Sequence, residues 1–194
     1  PEAVLIARYV PDESLEGKNL AEISDLMRIP PAETVLSMYE KGEAMVIEYS
    51  MDENDVDKFA KHHLIAVASD GSSVSKEGIL SVGKPHPRSY GTNPRFIQKY
   101  VNEKKLVSIQ EAVRKMTSMP AQRLGLTNRG RLTPGYAADI VIMDLPNVEE
   151  KSTFVDPHQY PKGITHVIVN GEIVIKDEEF TGKTPGKMIT SFDS

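Results

Sequence analysis

Asp70 is the residue whose position most suggests catalysis. It follows a run of apolar residues at 64–68 and precedes Gly71. If that run is a buried strand of a parallel sheet, Asp70 lies at the carboxyl end, where α/β folds place ligands and catalytic groups. A carboxylate there could take a proton from water or bind a metal ion. Because Asp-Gly is also a common turn sequence, a purely structural role stays open.

A second group of polar side chains lies in a loop at residues 83–95. His86, Arg88 and Tyr90 occur there among three prolines and two glycines. Rigid loops that hold polar groups commonly bind ligands. Arg88 or Arg95 could clamp a carboxylate through two parallel hydrogen bonds, and Tyr90 could donate another. The alternative is a structural loop that packs across the mouth of a barrel.

The histidines do not indicate a metal centre by their spacing. His62 and His63 are adjacent, and adjacent residues on a helix do not share a face. His158 and His166 are expected to be structural. The chain has five His and no Cys, so it offers no thiolate ligand and no disulfide. A three-ligand zinc pattern is not recognisable.

The segment that precedes Asp70 predicts an α/β arrangement. Residues 44–49 and 64–68 are predicted as strands on either side of a helix at 52–61, which Asp52 would cap. A continuous apolar run suits a strand buried on both faces of a parallel sheet. Strand, helix and strand in this order predict a βαβ unit.

The rest of the chain changes from helical to β patterning. A strand at 4–10 and helices at 19–27 and 31–39 are predicted first, and a long loop at 71–94 follows the βαβ unit. Further helices are predicted at 94–102, from Ser108 as N-cap, and at 120–124. Strands follow at 140–143, 165–169 and 172–175, with Asn170 and Gly171 predicting a tight hairpin.

Composition and charge restrict the class of protein. Of 194 residues, 39% are hydrophobic and 26% charged, which is typical of globular and not of disordered proteins. Residues 1–60 carry 5 basic and 14 acidic side chains, whereas residues 84–131 carry 11 basic and 2 acidic. The basic stretch could face solvent or bind an anionic substrate. Nucleic acid is not expected, because the basic residues lack repeated aromatic stacking positions.

Several segments together resemble one enzyme family. They are Ser69-Asp70-Gly71, the loop at 83–95, and residues 108–125, 130–144 and 163–171. The sequence resembles the N-acyl-D-amino-acid deacylase (D-aminoacylase) branch of the amidohydrolase superfamily over nearly the whole chain. The His-Pro-Arg-x-Tyr-Gly-Thr loop is the more specific part, although Asn93 stands where the family usually has an aromatic residue.

The resemblance implies a metal-dependent (β/α)₈ barrel with a small β-sandwich. In this family an Asp at the end of the eighth barrel strand activates water and protonates the leaving amine, and Asp70 matches that position. His86, Arg88 and Tyr90 are the candidate substrate-binding residues. Zinc is the implied cofactor, with ligands on earlier barrel strands, so no metal ligand is certain in this chain. A complete barrel needs about 250 residues, so the chain resembles the C-terminal part of such an enzyme.

These observations lead to one main hypothesis and one alternative. Residues 1–125 would form part of the barrel, with an inserted segment within 1–50, and residues 126–194 would form sandwich strands. The complete enzyme would remove the acyl group from a small N-acyl-D-amino acid, while this chain alone would be inactive. The alternative is a non-catalytic binding or assembly module that uses the basic loop at 83–95.

The expected partners and location follow from the same features. No apolar run approaches the roughly 18 residues that cross a bilayer, and the start does not resemble a signal peptide. We therefore expect a cytoplasmic protein with no membrane or nucleic-acid partner. Incomplete cover of the barrel strand predicts self-association, or pairing with the missing N-terminal part.

Overall fold

The computed structural model describes residues 1–189, which form two compact units, each built from separate stretches of chain. The first unit contains Pro1–Asp55, Asp70–Tyr90 and Lys151–Tyr160, and the second contains Val56–Ser69, Gly91–Glu150 and the chain from Pro161 onward. The helices and strands are β1 (Val4–Arg8), α1 (Leu20–Met27), α2 (Pro31–Lys41), β2 (Met45–Glu48), α3 (Glu53–Lys61), α4 (Arg88–Phe96), α5 (Ile109–Met116), α6 (Ser118–Arg123), β3 (Ile140–Met143), β4 (Ile164–Val169), β5 (Glu172–Lys176) and β6 (Glu179–Phe180).

The first unit packs a two-stranded antiparallel sheet against two helices. β1 pairs with β2, and α1 packs on α2. Ile6, Tyr9, Ile23 and Met38 form one buried cluster. The Tyr9 hydroxyl donates a 2.8 Å hydrogen bond to the Met38 carbonyl, which gives this buried polar group a partner. The predicted strands and helices of this region are confirmed.

Local sequence signals explain where the helices of the first unit begin. The Asn19 side chain accepts from the Glu22 N–H, and the Glu22 carboxylate accepts from the Asn19 N–H. This reciprocal capping satisfies two backbone donors that the first helical turn leaves unpaired. Pro31 occupies the first turn of α2, and Gly42 follows its last residue.

The second unit has a helical core and a separate sheet. Ala60, Phe96, Tyr100, Val101, Val107 and Ala112 form the buried helical cluster. The Ser108 hydroxyl accepts from the Glu111 N–H at 3.2 Å and caps α5 as predicted. The Glu111 carboxylate binds Arg114 instead of completing a capping box.

The sheet of the second unit is antiparallel, with strands in the order β3, β4, β5, β6. Asn170 and Gly171 join β4 to β5 with φ values of 49° and 83°. Both are in the left-handed region that a tight hairpin turn requires, so the predicted hairpin is confirmed. β6 was not predicted. Within residues 1–189 the second unit contains this one sheet, so a two-layered sandwich is not observed in that unit.

The predicted parallel strand at 64–68 is wrong for this chain. These residues are in neither recorded sheet, and β2 pairs with β1 instead of forming a βαβ unit. A β-strand needs a neighbouring strand for its backbone hydrogen bonds. Residues 64–68 instead lie beside helix α5. The Val67 N–H donates to the Lys115 carbonyl at 3.1 Å. The Lys115 ammonium donates to the carbonyls of His62 and Ile65.

The predicted long loop at 71–94 and helix at 94–102 are also partly wrong. α4 begins at Arg88 because the N–H groups of Ser89 and Tyr90 donate to the carbonyls of His86 and Pro87, each at 3.0 Å. Pro94 therefore lies inside the helix and not at its start. The helix continues in the wider π form over Ile97–Glu103.

The division of the chain into a barrel region at 1–125 and a sandwich region at 126–194 stays a prediction, and residues 190–194 lie outside the described part. Over the described residues, none of the helices has the length and apolar character that crossing a membrane requires.

Candidate functional site

Asp70 lies in an irregular segment and contacts the first residue of α4. Its φ of 48° is in the left-handed region, which Asp adopts more readily than most residues. One carboxylate oxygen lies 2.9 Å from Nη2 of Arg88, and the Asp70 side chain is 88% exposed. An exposed ion pair of this kind contributes about 0–1 kcal/mol to stability. The pair is weak enough to exchange one of its partners for a ligand.

A second contact attaches the chain after Asp70 to α4. The Ser72 N–H donates a 3.3 Å hydrogen bond to the Ser89 hydroxyl. Arg88 and Ser89 are neighbours in the first turn of α4, so both contacts meet the same helix end. The structure thus brings together Asp70 and Arg88, which are 18 positions apart in the chain.

His86 is held by its own backbone and by an aromatic ring. Its Nδ1 accepts a 3.0 Å hydrogen bond from the Arg88 N–H. The imidazole also packs edge-to-face on Phe154, with ring centroids 4.9 Å apart. In the neutral ring the hydrogen is consequently on Nε2, because Nδ1 is an acceptor. His86 is placed two residues before Arg88 and orders the start of its helix.

Tyr90 is part of a polar network with the preceding loop. Its hydroxyl donates to the Ser75 carbonyl at 2.7 Å and lies 2.8 Å from Nδ1 of His158. Burial raises the pKa of Tyr90, and the neighbouring Tyr160 raises it further. The phenol is therefore neutral and keeps its hydrogen for donation.

Arg95, the alternative carboxylate clamp, has a different partner. Its guanidinium forms a 3.0 Å ion pair with Glu150, whose side chain is only 7% exposed. Burial raises the pKa of Glu150, while the hydrogen bond and charge of Arg95 oppose that rise. Removing Arg95 from this pair would leave a buried carboxylate unpaired, which is costly. Arg88 is consequently the better candidate for binding a substrate carboxylate.

Sequence reasoning missed two residues that contact this loop, Phe154 and His158. Phe154 packs on both His86 and Tyr49, and His158 contacts Tyr90. His158 had been predicted to be structural. Its partner lies 68 positions away, and no local pattern in the sequence signals a contact over that distance.

Asp139, which lies within the family-like segment at residues 130–144, has a structural role. Asp139 pairs with the Arg129 guanidinium, and its other oxygen accepts from the Asn170 N–H at 2.8 Å. Arg129 also donates to the Asn170 side chain at 3.0 Å. Asp139 therefore stabilises the hairpin between β4 and β5 and is not a candidate for catalysis.

The donor set of residues 1–189 does not fit a metal ion. Among residues 1–189, no three His, Asp or Glu side chains lie close enough to share one. Asp70 is paired with Arg88 and belongs to no such group of three. The zinc site that the resemblance implies would need ligands from outside the described residues.

The chain is similar in sequence to enzymes named as deacylases of N-acyl-D-amino acids. The N-acyl-D-aspartate deacylase of Alcaligenes xylosoxydans xylosoxydans is 33% identical over 178 residues, which cover 92% of this chain and 34% of that protein. The D-aminoacylase of the same organism is 34% identical over 183 residues, covering 92% and 35%. The chain therefore spans about a third of the length of these relatives.

Solved structures agree with the sequence comparison. A crystal structure of D-aminoacylase matches with a TM-score of 0.81 and 34% identity, covering 93% of this chain and 36% of that one. The N-acyl-D-glutamate deacylase of Bordetella bronchiseptica, complexed with zinc and a phosphonate inhibitor, matches with a TM-score of 0.79 and 31% identity, covering 89% and 34%.

The family model for amidohydrolases matches residues 78–175. This match starts after Asp70 and includes Arg88, Tyr90 and the sheet strands β3 and β4. Together with the deacylase relatives and the shared fold, it establishes that the chain belongs to the amidohydrolase family.

Proposed function

We propose that this chain is the C-terminal part of an enzyme that hydrolyses the amide bond of N-acyl-D-amino acids. The observation that carries this proposal is its similarity to the deacylases over about nine-tenths of its own length and only a third of theirs. The Asp70–Arg88 pair supports it, because the chain places a carboxylate base beside a cation suited to a substrate carboxylate.

The fold of the complete enzyme would supply neighbouring strands for residues 64–68, which pair with none here. We propose that these residues are the last strand of a (β/α)₈ barrel, whose neighbouring strands lie in the part not present. Residues 65–67 are half-buried against α5 in this chain. The sheet β3–β6 would be one layer of the β-sandwich. Active sites of such barrels lie at the carboxyl ends of strands, which is the position that Asp70 would have in the complete barrel.

Asp70 would act as both base and acid in the reaction. It takes a proton from the attacking water while the water oxygen bonds to the amide carbonyl carbon. When the C–N bond breaks, the nitrogen receives that proton from Asp70. The second water proton, now on the new carboxylic acid, passes to the released amine, so the products are a carboxylate and a free D-amino acid with an ammonium group. Zinc is the proposed cofactor of the complete enzyme, because a similar deacylase structure contains it.

Substrate binding would release Asp70 for this role. In this chain one carboxylate oxygen of Asp70 is engaged by Arg88 at 2.9 Å. The α-carboxylate of an N-acyl amino acid would offer Arg88 a replacement partner. Arg88 would then bind substrate, and Asp70 would be free to accept a proton.

The alternative of a binding module that uses the loop at 83–95 is not favoured. The relatives are enzymes, and the loop's His86 and Tyr90 contact groups within the chain. We also propose that the isolated chain self-associates, because the proposed barrel strand at 64–68 lacks its neighbouring strands and Leu64 is 69% exposed. A cytoplasmic location stays a prediction.

Assays of the complete enzyme and of this chain alone test the function. With added zinc, the complete enzyme should hydrolyse N-acetyl-D-amino acids and leave the L-enantiomers intact, whereas residues 1–194 alone should be inactive. Absence of turnover by the complete enzyme across acidic and apolar D-substrates would contradict the proposal. Turnover by the isolated chain that is lost on chelation and on Asp70→Ala would show that the site is complete in this chain.

A further inference from the structure

We propose that His158 is a positioning residue that fixes the hydroxyl of Tyr90 for substrate binding, an inference that rests on the proposed deacylase function. His158 lies in the segment Lys151–Tyr160 and Tyr90 lies in Asp70–Tyr90, two stretches of the same compact unit. Nδ1 of His158 is 2.8 Å from the Tyr90 hydroxyl, and Nε2 is 2.9 Å from the Gly83 carbonyl. One ring therefore connects both ends of the stretch from Gly83 to Tyr90.

Counting hydrogens shows what His158 contributes. The Tyr90 hydroxyl has one hydrogen and donates it to the Ser75 carbonyl at 2.7 Å. Gly83 offers only a carbonyl oxygen, so Nε2 must donate to it. In the neutral ring Nε2 then carries the only ring hydrogen, so Nδ1 is an acceptor that faces the Tyr90 hydroxyl. The Tyr90 hydrogen thus lies between two acceptors, the Ser75 carbonyl and Nδ1 of His158.

This arrangement directs the Tyr90 hydroxyl. A phenol with one free torsion would otherwise rotate its O–H between acceptors. Because the Ser75 carbonyl and Nδ1 of His158 both face this hydroxyl as acceptors, its hydrogen stays on their side and its lone pairs face away from them. The edge-to-face packing of Tyr90 on His158, with centroids 5.6 Å apart, holds the ring itself. A substrate N–H or bound water would meet a fixed acceptor.

The segment that carries His158 is folded by its own contacts. The buried Ser152 hydroxyl donates to the Pro157 carbonyl at 2.6 Å. The Thr153 hydroxyl accepts from the Asp156 N–H at 2.9 Å. Pro157, the residue before His158, is fully buried. These bonds hold the segment without help from the loop, so it can serve as a rigid support.

A second contact shows that the segment supports the whole loop. The Lys84 ammonium donates to the Val155 carbonyl at 2.7 Å, and Phe154 packs on His86. Two of the proposed substrate-binding residues, His86 and Tyr90, therefore rest on side chains of Lys151–Tyr160. Of these supports, His158 alone contacts a polar atom that a substrate could reach, and it is the one we propose to test.

Two substitutions separate the two bonds of His158. His158→Asn keeps a polar atom where Nδ1 stood, since its amide oxygen can accept from Tyr90, and loses the bond to Gly83. His158→Gln keeps a donor where Nε2 stood and loses the bond to Tyr90. In the complete enzyme, we expect His158→Gln to raise KM for an N-acetyl-D-amino acid about three- to tenfold. His158→Asn should stay within about twofold of wild-type KM, and kcat should change little in both.

A double-mutant cycle checks that the effect passes through Tyr90. Tyr90→Phe removes only the hydroxyl and should raise KM about as much as His158→Gln. Adding His158→Gln to Tyr90→Phe should then change KM no further. Equal effects of His158→Asn and His158→Gln on KM would overturn the proposal. So would effects of His158→Gln and Tyr90→Phe on KM that add in the double variant. So would a loss of stability in both His158 variants with KM unchanged.

An NMR measurement on this chain separates the inference from the function. In protein with ¹³C-labelled tyrosine, the Tyr90 ring signal should move in His158→Gln and stay near its wild-type position in His158→Asn. Circular dichroism would confirm folding of each variant. If the complete enzyme had no deacylase activity but the Tyr90 signal behaved as expected, the proposed function alone would fail. If the Tyr90 signal were insensitive to His158→Gln, the positioning role would be wrong.

Discussion

Substitution of the buried lysine, Lys115→Met, should destabilise the segment that leads to Asp70. Lys115 is 1% exposed, and its ammonium donates to the carbonyls of His62 and Ile65. Burial lowers its pKa, partly opposed by Glu111. Met has a similar unbranched stem, so the change removes the donor without opening a large cavity.

The magnitude follows from what each carbonyl loses. The His62 carbonyl also accepts from the Ile65 N–H at 3.1 Å, so it keeps a partner. The Ile65 carbonyl loses the 2.9 Å bond that Lys115 provides. A buried polar group left without its partner costs about 1–3 kcal/mol. Removing a buried cation offsets part of this cost, so we expect a net loss of about 1–2 kcal/mol.

Urea denaturation and hydrogen exchange measure the effect. With an m-value of about 2 kcal/mol/M, the midpoint should fall by about 0.5–1 M. The amide of Val67, which donates to the Lys115 carbonyl, should exchange faster in the variant. Lys187→Met, at an exposed position, is the matched control and should stay within about 0.5 kcal/mol of wild type. An unchanged midpoint with unchanged exchange at Val67 would refute the assigned role of Lys115.

Three further predictions concern the loop and the ion pair beside it. Gly91→Ala should destabilise the chain by about 1–3 kcal/mol, because the new Cβ would lie 2.5 Å from Cγ of Glu150. The loss should be smaller in a Glu150→Ala background. Urea denaturation of Gly91→Ala against wild type, and of the double variant against Glu150→Ala, tests this. Burial raises the pKa of Glu150 above its ordinary value of 4.5. The stability contributed by its protonated form is present below that value and lost as pH rises through the folded-state pKa. Wild type should therefore lose stability relative to Glu150→Gln as the pH rises above 4.5. A stability difference between the two proteins that does not change with pH would contradict this. Arg88→Ala in the complete enzyme should raise KM more than it lowers kcat, and an unchanged KM would indicate a structural loop.

Features whose causes lie within a few residues could be predicted from the sequence. Asn19 and Ser108 cap helices whose first turns supply the hydrogen-bond donors. Asn170 and Gly171 adopt the left-handed conformations that their small or amide side chains tolerate. In each case, the residue and its partner are at most three positions apart, so the pattern itself contains the interaction.

Features that depend on distant partners were wrong or missed. Residues 64–68 have the composition of a buried strand, but a strand forms only beside another strand, and α5 provides the neighbouring hydrogen bonds here. The start of α4 was misplaced because Pro94 resembles a first-turn proline. Among the candidate site residues, the choice between Arg88 and Arg95 required knowledge of Glu150, which is 55 positions from Arg95. The contacts of His158 likewise span 68 and 75 positions.

The most direct test of the central claim is the turnover number of Asp70→Asn in the complete enzyme, with zinc content measured in the same samples. The amide has the shape of the carboxylate but cannot take a proton from water. We predict unchanged folding and metal content, with kcat for an N-acetyl-D-amino acid reduced about 10²–10⁴-fold. A variant that keeps near-native kcat with full metal content would contradict the role of Asp70 as the catalytic base and acid.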